Sequence, residues 1–252
     1  MITVHHLNNS RSQRVLWLLE ELGLEYEVVH YERDARMFAP PELKDIHPLG
    51  KSPIVVDGEV VVAETGNIVD YILETYGRGQ SERIPKSVQR FSESNARSNK
   101  NSEHDSDPNG AGCALVPSDP AVRRQMTYWM HYAEGSAMPL LLLKLVASQI
   151  PKRVPFLIRP IAKLISGGLE RSMVAPGLTA HFAFWESSLE ATGWFAGDAL
   201  TAADIMMSFP LEAAVSRAGA DSLPNVTAFL ARIHGWDAYK RALERGGDYA
   251  YA

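Results

Sequence analysis

Apolar positions along the chain change their period several times before residue 78 and hardly at all after residue 118. Ile2 to Leu7 is a short run rich in β-branched and apolar side chains, which predicts a strand. From Ser10 the spacing switches: Val15, Leu16, Leu18, Leu19 and Leu22 fall at i, i+1, i+3, i+4 and i+7, one face of a helix. Ser10 is placed to cap that helix and Gly23 to stop it. Tyr26 to Tyr31 reads as a second strand, so residues 1 to 31 predict a βαβ unit with a parallel pair. Pro40-Pro41-Glu42 then opens a short helix. Ile54-Val55-Val56 and Val60-Val61-Val62 flank Asp57-Gly58, a strong hairpin signal. Glu64 to Tyr76 predicts a helix that ends at Gly77.

The order is βαβαββα, which looks like a thioredoxin-like domain covering residues 1–78. Residues 81 to 112 hold seven serines and four asparagines, with Ile84, Val88 and Phe91 as the sizeable apolar groups. Such a stretch buries too little surface to offset its ordering entropy. Residues 79–117 therefore predict a polar, disordered linker or insertion. From Ser118-Asp119-Pro120, a helix start, the spacing is helical throughout. Apolar-periodic segments run through Met138 to Ala147, Pro155 to Ile165, Leu178 to Leu189, Ala202 to Val215 and Val226 to Leu243. The fold class is thus α/β plus all-α, with an all-helical domain over residues 118–252.

Composition narrows the partners. Lys plus Arg is 25 against 30 Asp plus Glu, a formal charge of −5 with no basic stripe, which argues against nucleic acid. Cys113 stands alone, so no internal disulfide, CxxC pair or thiolate metal cluster can form, and no metal is expected. The N-terminus shows no charged and apolar leader pattern. The most apolar run, Met138 to Ile150, contains Lys144 and is shorter than the roughly 20 residues that span a bilayer.

Three short constellations can carry chemistry. Ser10-Arg11-Ser12-Gln13-Arg14 joins the first strand to the first helix. Free N–H groups and the macrodipole at a helix start favour an anion, and a thiolate is one. Lowering a thiol pKa by about two units takes roughly 2.7 kcal/mol. One charged hydrogen bond supplies about 1.5–3 kcal/mol. The same Ser10 also reads simply as a helix cap. His47-Pro48-Leu49-Gly50-Lys51-Ser52-Pro53 leads into the third strand, where Pro53 removes a ladder donor. A cis Ser52-Pro53 bond would offer the Ser52 backbone to an extended ligand, whereas a trans turn leaves it an ordinary loop. Glu64-Thr65 opens the next helix and can receive a zwitterionic amino-acid head: carboxylate to ammonium, hydroxyl and helix N–H to carboxylate. It also reads as a plain N-terminal cap.

Taken in order, these pieces resemble the glutathione transferases, in particular the serine-dependent branch and its fungal and bacterial relatives. The Ser-x-x-x-Arg pattern fits Ser10 and Arg14, the cis proline after Gly-Lys-x fits Pro53, and the Glu-Ser/Thr pair fits Glu64 and Thr65. Ala196-Gly197-Asp198-Ala199-Leu200-Thr201-Ala202-Ala203-Asp204-Ile205 matches a segment of the family's helical half, with Thr201 and Asp204 spaced as a reciprocal cap. The resemblance implies that Ser10 donates to the glutathione sulfur and that the Ser52 backbone, before Pro53, pairs with the cysteinyl unit. It implies that Glu64 and Thr65 hold the γ-glutamyl head and that His47 and Lys51 meet the glycine carboxylate. Asn9 is an alternative thiol donor, although Ser10 keeps the spacing to Arg14.

Glutathione is then the co-substrate and a small hydrophobic electrophile the acceptor, bound in a pocket formed by the helical domain. A cytoplasmic homodimer acting in detoxification or a secondary-metabolite pathway is implied, with peroxidase activity open. A non-catalytic glutathione-binding protein on the same fold is the alternative. A cysteine-dependent thiol–disulfide enzyme is disfavoured, because no cysteine lies near residues 9 to 13. His5 and His6 alternate on a strand and read as structural. Trp129, His131 and Tyr132, on the first long helix after the linker, read as inter-domain packing or as lining of the electrophile pocket, and Met173, Met206 and Met207 as core fillers.

Overall fold

The structure is a computed structural model that describes residues 1–34, 36–77 and 115–251. The expected insertion falls almost wholly outside those residues. Strands β1 (Ile2–Leu7), β2 (Tyr26–Tyr31), β3 (Ile54–Asp57) and β4 (Val60–Ala63) form one mixed sheet in the order β2-β1-β3-β4. β1 pairs parallel with β2 and antiparallel with β3, and β3 pairs antiparallel with β4. The βαβαββα order is therefore realised, with α1 (Gln13–Glu21), α2 (Leu43–Ile46) and α3 (Thr65–Tyr76) between and after the strands.

The helical stripe from Val15 to Leu22 is buried as its spacing predicts. Gly23 ends α1 with φ +61°, its N–H reaching Glu20 O while Leu24 N reaches Leu19 O. These are the two bonds of a Schellman stop, which needs a left-handed residue at that position. The hairpin forms one residue later than the Asp-Gly signal suggests. Asp57 pairs with Val60, so the turn residues are Gly58 and Glu59, and Gly58 supplies the positive φ of 60°.

The second half is helical among its described residues: α4 (Pro120–Tyr132), α5 (Met138–Arg153), α6 (Arg159–Leu169), α7 (Ala175–Glu190), α8 (Ala202–Ala218), α9 (Pro224–His234) and α10 (Asp237–Gly246). Asp119 caps α4, its carboxylate accepting from Ala121 N and Val122 N. The segment Val226 to Leu243 is two helices rather than one run: α9 closes at Gly235, and Trp236 takes an extended backbone that starts α10. Short π turns, Ala133–Ala137 and Glu170–Val174, interrupt the long helices on either side of α5 and α6.

The halves share one core. Trp17 of α1 meets Tyr239 of α10 edge-on at 5.3 Å. Two side-chain placements differ from the sequence expectation. Met206 and Met207 are buried, but Met173 is 59% exposed, because the π turn carrying it swings that side chain outward. Trp129 and Tyr132 pack inside the helical half, against Phe184, Phe195 and Trp185, rather than across to the sheet.

Candidate functional site

Three loops converge beyond the C-terminal end of β1. The connection from β1 to α1 carries Asn9 to Ser12. The connection into β3 carries His47 to Pro53. The step from β4 into α3 carries Glu64 and Thr65. The register brings them together: His5 lies opposite Ile54, and Ile54 lies opposite Ala63.

The Leu7 N–H joins the first two loops, donating to Ser12 Oγ at 3.3 Å and to Ser52 Oγ at 3.1 Å. Ser52 Oγ in turn donates to His5 O at 2.8 Å, so its side chain ties the loop to β1. The Ser52-Pro53 peptide bond is cis. Among the described residues, the Ser52 backbone N–H and C=O pair with no other protein group and are free for an extended ligand. Gly50, with φ +55°, has no room for a Cβ, which would sit 2.7 Å from Lys44 Cγ. Lys51 is exposed and half-buried His47 accepts weakly from Leu49 N at 3.4 Å, so both remain at the rim.

Glu64 holds a backbone that a side chain rarely adopts, φ +69° and ψ +126°. Its carbonyl starts α3 by accepting from Ile68 N at 2.9 Å, and its carboxylate projects into solvent. Thr65 follows, buried, at the first position of the helix. Neither side chain has a hydrogen-bond partner among the described residues. Strain of about 1–3 kcal/mol at such a position persists where the surroundings hold it for a ligand clamp.

The start of α1 differs. Ser10 is 3% exposed, and Ser12 N donates to its Oγ at 3.2 Å. Ser10 Oγ also meets Ser12 Oγ at 2.7 Å, and Ser12 Oγ meets His6 Nδ1 at 2.9 Å. Burial, then the neighbouring His30, pushes His6 down to about 4, so the ring is neutral at pH 7. Ser10 thus opens a turn that precedes the helix, which begins at Gln13, and its hydroxyl faces inward in this rotamer. Asn9 beside it takes φ +49°, a conformation asparagine tolerates, and its Oδ1 accepts from Ala250 N at 2.7 Å.

The sequence pattern missed two features around this turn. Glu134, in the first π turn, pairs with both Arg11, at 2.6 Å, and Arg14. Burial works against its charge, but Arg14 and then Arg11 outweigh that and hold the carboxyl below its usual range. Arg14 is fully buried and also donates to Met206 O at 2.6 Å, locking the start of α1 to α8. The C-terminal residues are the second feature: Tyr251 packs on Phe209 at 5.3 Å beneath Arg217, and Tyr249 donates to Glu212. A groove of about 450 Å³ lined by Met1, Glu20, Tyr26 and Arg241 lies at the opposite end of β1 and takes no part. No group of His, Cys, Asp and Glu among the described residues is arranged to hold a metal.

Residues 1–74 match the glutathione S-transferase N-terminal domain and residues 169–235 the glutathione S-transferase C-terminal domain. Glutathione S-transferase 1 of Saccharomyces cerevisiae is 32% identical over 255 residues, covering 97% of this chain and 95% of that protein. The chain belongs to the glutathione S-transferase family. Glutathione S-transferase 3 of Schizosaccharomyces pombe is 33% identical, covering 85% of this chain and 74% of its own length. A crystal structure of a glutathione S-transferase from Actinobacillus pleuropneumoniae superposes with a TM-score of 0.65 at 29% identity, covering 98% of this chain and 93% of that one. The two-part architecture, a thioredoxin-like sheet followed by helices, is that of this transferase family.

Proposed function

We propose that this glutathione transferase binds glutathione in an extended pose across the three loops and transfers its thiolate to an electrophilic carbon. The observation that carries the reading is the set of polar groups without partners among the described residues where the loops meet: the Ser52 backbone, the Glu64 carboxylate and the Thr65 hydroxyl. Glu64 receives the ammonium of the γ-glutamyl head, while Thr65 and the start of α3 receive its carboxylate. The Ser52 N–H and C=O pair with the cysteinyl unit, and His47 and Lys51 meet the glycine carboxylate at the rim.

This pose directs the sulfur toward the start of α1. A rotation about χ1 takes Ser10 Oγ from Ser12 to the sulfur, where its proton hydrogen-bonds the thiolate. The helix start adds about 0.3–1 kcal/mol to the roughly 1.5–3 kcal/mol of that bond. The thiol proton leaves to solvent, the sulfur forms a bond to the acceptor carbon, and the leaving group departs with its electron pair. Much of the rate then comes from ionisation and positioning. The acceptor is a small hydrophobic electrophile held by the helical half near Phe209 and Tyr251. A homodimer and a cytoplasmic location complete the reading, both from the family resemblance. No described helix is long and apolar enough to cross a membrane.

Ser10→Ala and Asn9→Ala, assayed side by side for conjugation of an aryl halide, test the thiol donor. The expected result is a loss of about tenfold or more in kcat for Ser10→Ala. Full activity in Ser10→Ala with a loss in Asn9→Ala transfers the role to Asn9. Capture on immobilised glutathione without turnover of any electrophile would support a binding protein instead.

A further inference from the structure

The helix α6 wears its apolar side chains outward. Its inward face is made of the small residues Ala162 and Ser166 with partly buried Leu169. Phe156, Leu157, Ile158, Ile161, Leu164 and Ile165, on the preceding turn and the helix, are between 47% and 74% exposed. Leu157, Ile161, Leu164 and Ile165 fall at i, i+4, i+7 and i+8, the spacing of one solvent-facing helical stripe. Water-soluble folds rarely leave a contiguous stripe of this kind bare without using it.

Charge around the stripe identifies its occupant. Residues 135 to 169 contain five basic side chains and no Asp or Glu, in a chain whose net charge is −5. Lys144 is paired with Glu170. Lys152, Arg153, Arg159 and Lys163 have no acidic partner among the described residues. Arg159 and Lys163, four residues apart, form a basic stripe on the same helix. On the sheet domain, Arg36 O accepts from Arg153 at 3.2 Å, which brings a loop bearing exposed Met37 and Phe38 next to the end of α5. Of the carboxylates in that connection, Glu32, Asp34 and Glu42, Asp34 is engaged locally, accepting from Arg36 N and Phe38 N.

We infer that this face docks on an anionic lipid surface. Exposed Phe, Leu and Ile on one stripe and Lys and Arg on another are the marks of a helix that lies in the headgroup region with its apolar side in the acyl boundary. A second copy fits less well, because a two-fold contact through this patch sets the same four cations against each other. The docking is peripheral, and it places the transferase where apolar electrophiles collect.

The test is co-sedimentation of the full chain with vesicles of phosphatidylcholine alone or with about 30% phosphatidylglycerol. Three proteins are compared: wild type, Ile161→Ser/Leu164→Ser/Ile165→Ser, and Arg159→Glu/Lys163→Glu. The expected result is binding of the wild type to the anionic vesicles, cut about tenfold or more in each variant and by about 0.5 M salt. Both variants should keep wild-type conjugation of a water-soluble electrophile, which shows that they are folded. Wild-type protein that stays in the supernatant when the anionic vesicles are pelleted overturns the inference, as does binding that both variants retain. A wild-type dimer in lipid-free solution that the serine variant converts to monomer also overturns it, and assigns the face to a second copy.

Discussion

Two helices of this molecule begin with a hydroxyl beside a carboxylate, and they use the pair in opposite ways. At the start of α8, Thr201 N and Thr201 Oγ donate to Asp204 at 2.8 and 2.9 Å, and Phe195 N donates to it at 2.9 Å. Every oxygen is spent on the protein itself, and the carboxylate is wholly buried. At the start of α3, the side chains of Glu64 and Thr65 find no partner among the described residues, and the backbone that presents them is strained. A closed polar cluster holds a fold together, whereas an open one at a strained residue awaits a ligand. Sequence spacing alone makes both look like caps; the hydrogen-bond inventory separates them.

Substitution should separate them further. Asp204→Ala leaves three buried donors unpaired and removes a cap, so it should cost roughly 2–4 kcal/mol of stability in denaturant unfolding, with KM for glutathione unchanged in the protein that folds. A loss below about 0.5 kcal/mol would show that the cluster is not structural. Glu64→Ala should do the reverse. Glutathione affinity measured by calorimetry should fall about 10- to 100-fold, the worth of a charged hydrogen bond, with little change in unfolding midpoint. Glu64→Gly sharpens the contrast, because it should lose the same affinity while gaining about 1 kcal/mol of stability from relief of the positive φ.

The smallest effect concerns Glu21, a carboxylate near the other end of α1 whose donors are the indoles of Trp17 and Trp236. Burial pushes it up to about 7, against those two hydrogen bonds and the Arg241 charge. The folded chain therefore holds this proton more tightly than the unfolded chain does. Its contribution to stability is complete below about 4.5 and is lost as pH rises through 7. Glu21→Gln should flatten the fall in unfolding free energy between pH 5 and 8 by about 1 kcal/mol, less than full burial would give because the side chain is half-buried. A slope identical to wild type would show that Glu21 is ionised throughout.

Much of the fold was legible because its signals are local. The Val15 to Leu22 stripe, Gly23, the hairpin flanks and the Thr201–Asp204 cap each act within a few residues, and each appears in the structure. The placement of Glu64, Thr65 and Ser52 was legible for the same reason, since each sits where an element begins. What escaped depends on distant partners. Nothing near Arg14 announces that Glu134 will neutralise it, because the two meet only when α1 packs on the first π turn. The inward turn of Ser10 is set by Ser12 and His6 from two elements at once. Met173 matched a core methionine by type, but a π turn rotates it away from the core.

In the proposed reading, the start of α1 holds the glutathione sulfur as a thiolate while the start of α3 holds the other end of the molecule. The thiolate absorbance of glutathione bound to the protein, followed against pH in the wild type, Ser10→Ala and Glu64→Ala, tests it most directly. Bound thiol in the wild type should titrate about two units below a free thiol near 8.5, Ser10→Ala should raise that value by about one unit or more, and Glu64→Ala at saturating glutathione should leave it unmoved. Bound glutathione that titrates in the wild type at the pH of the free thiol would contradict that reading.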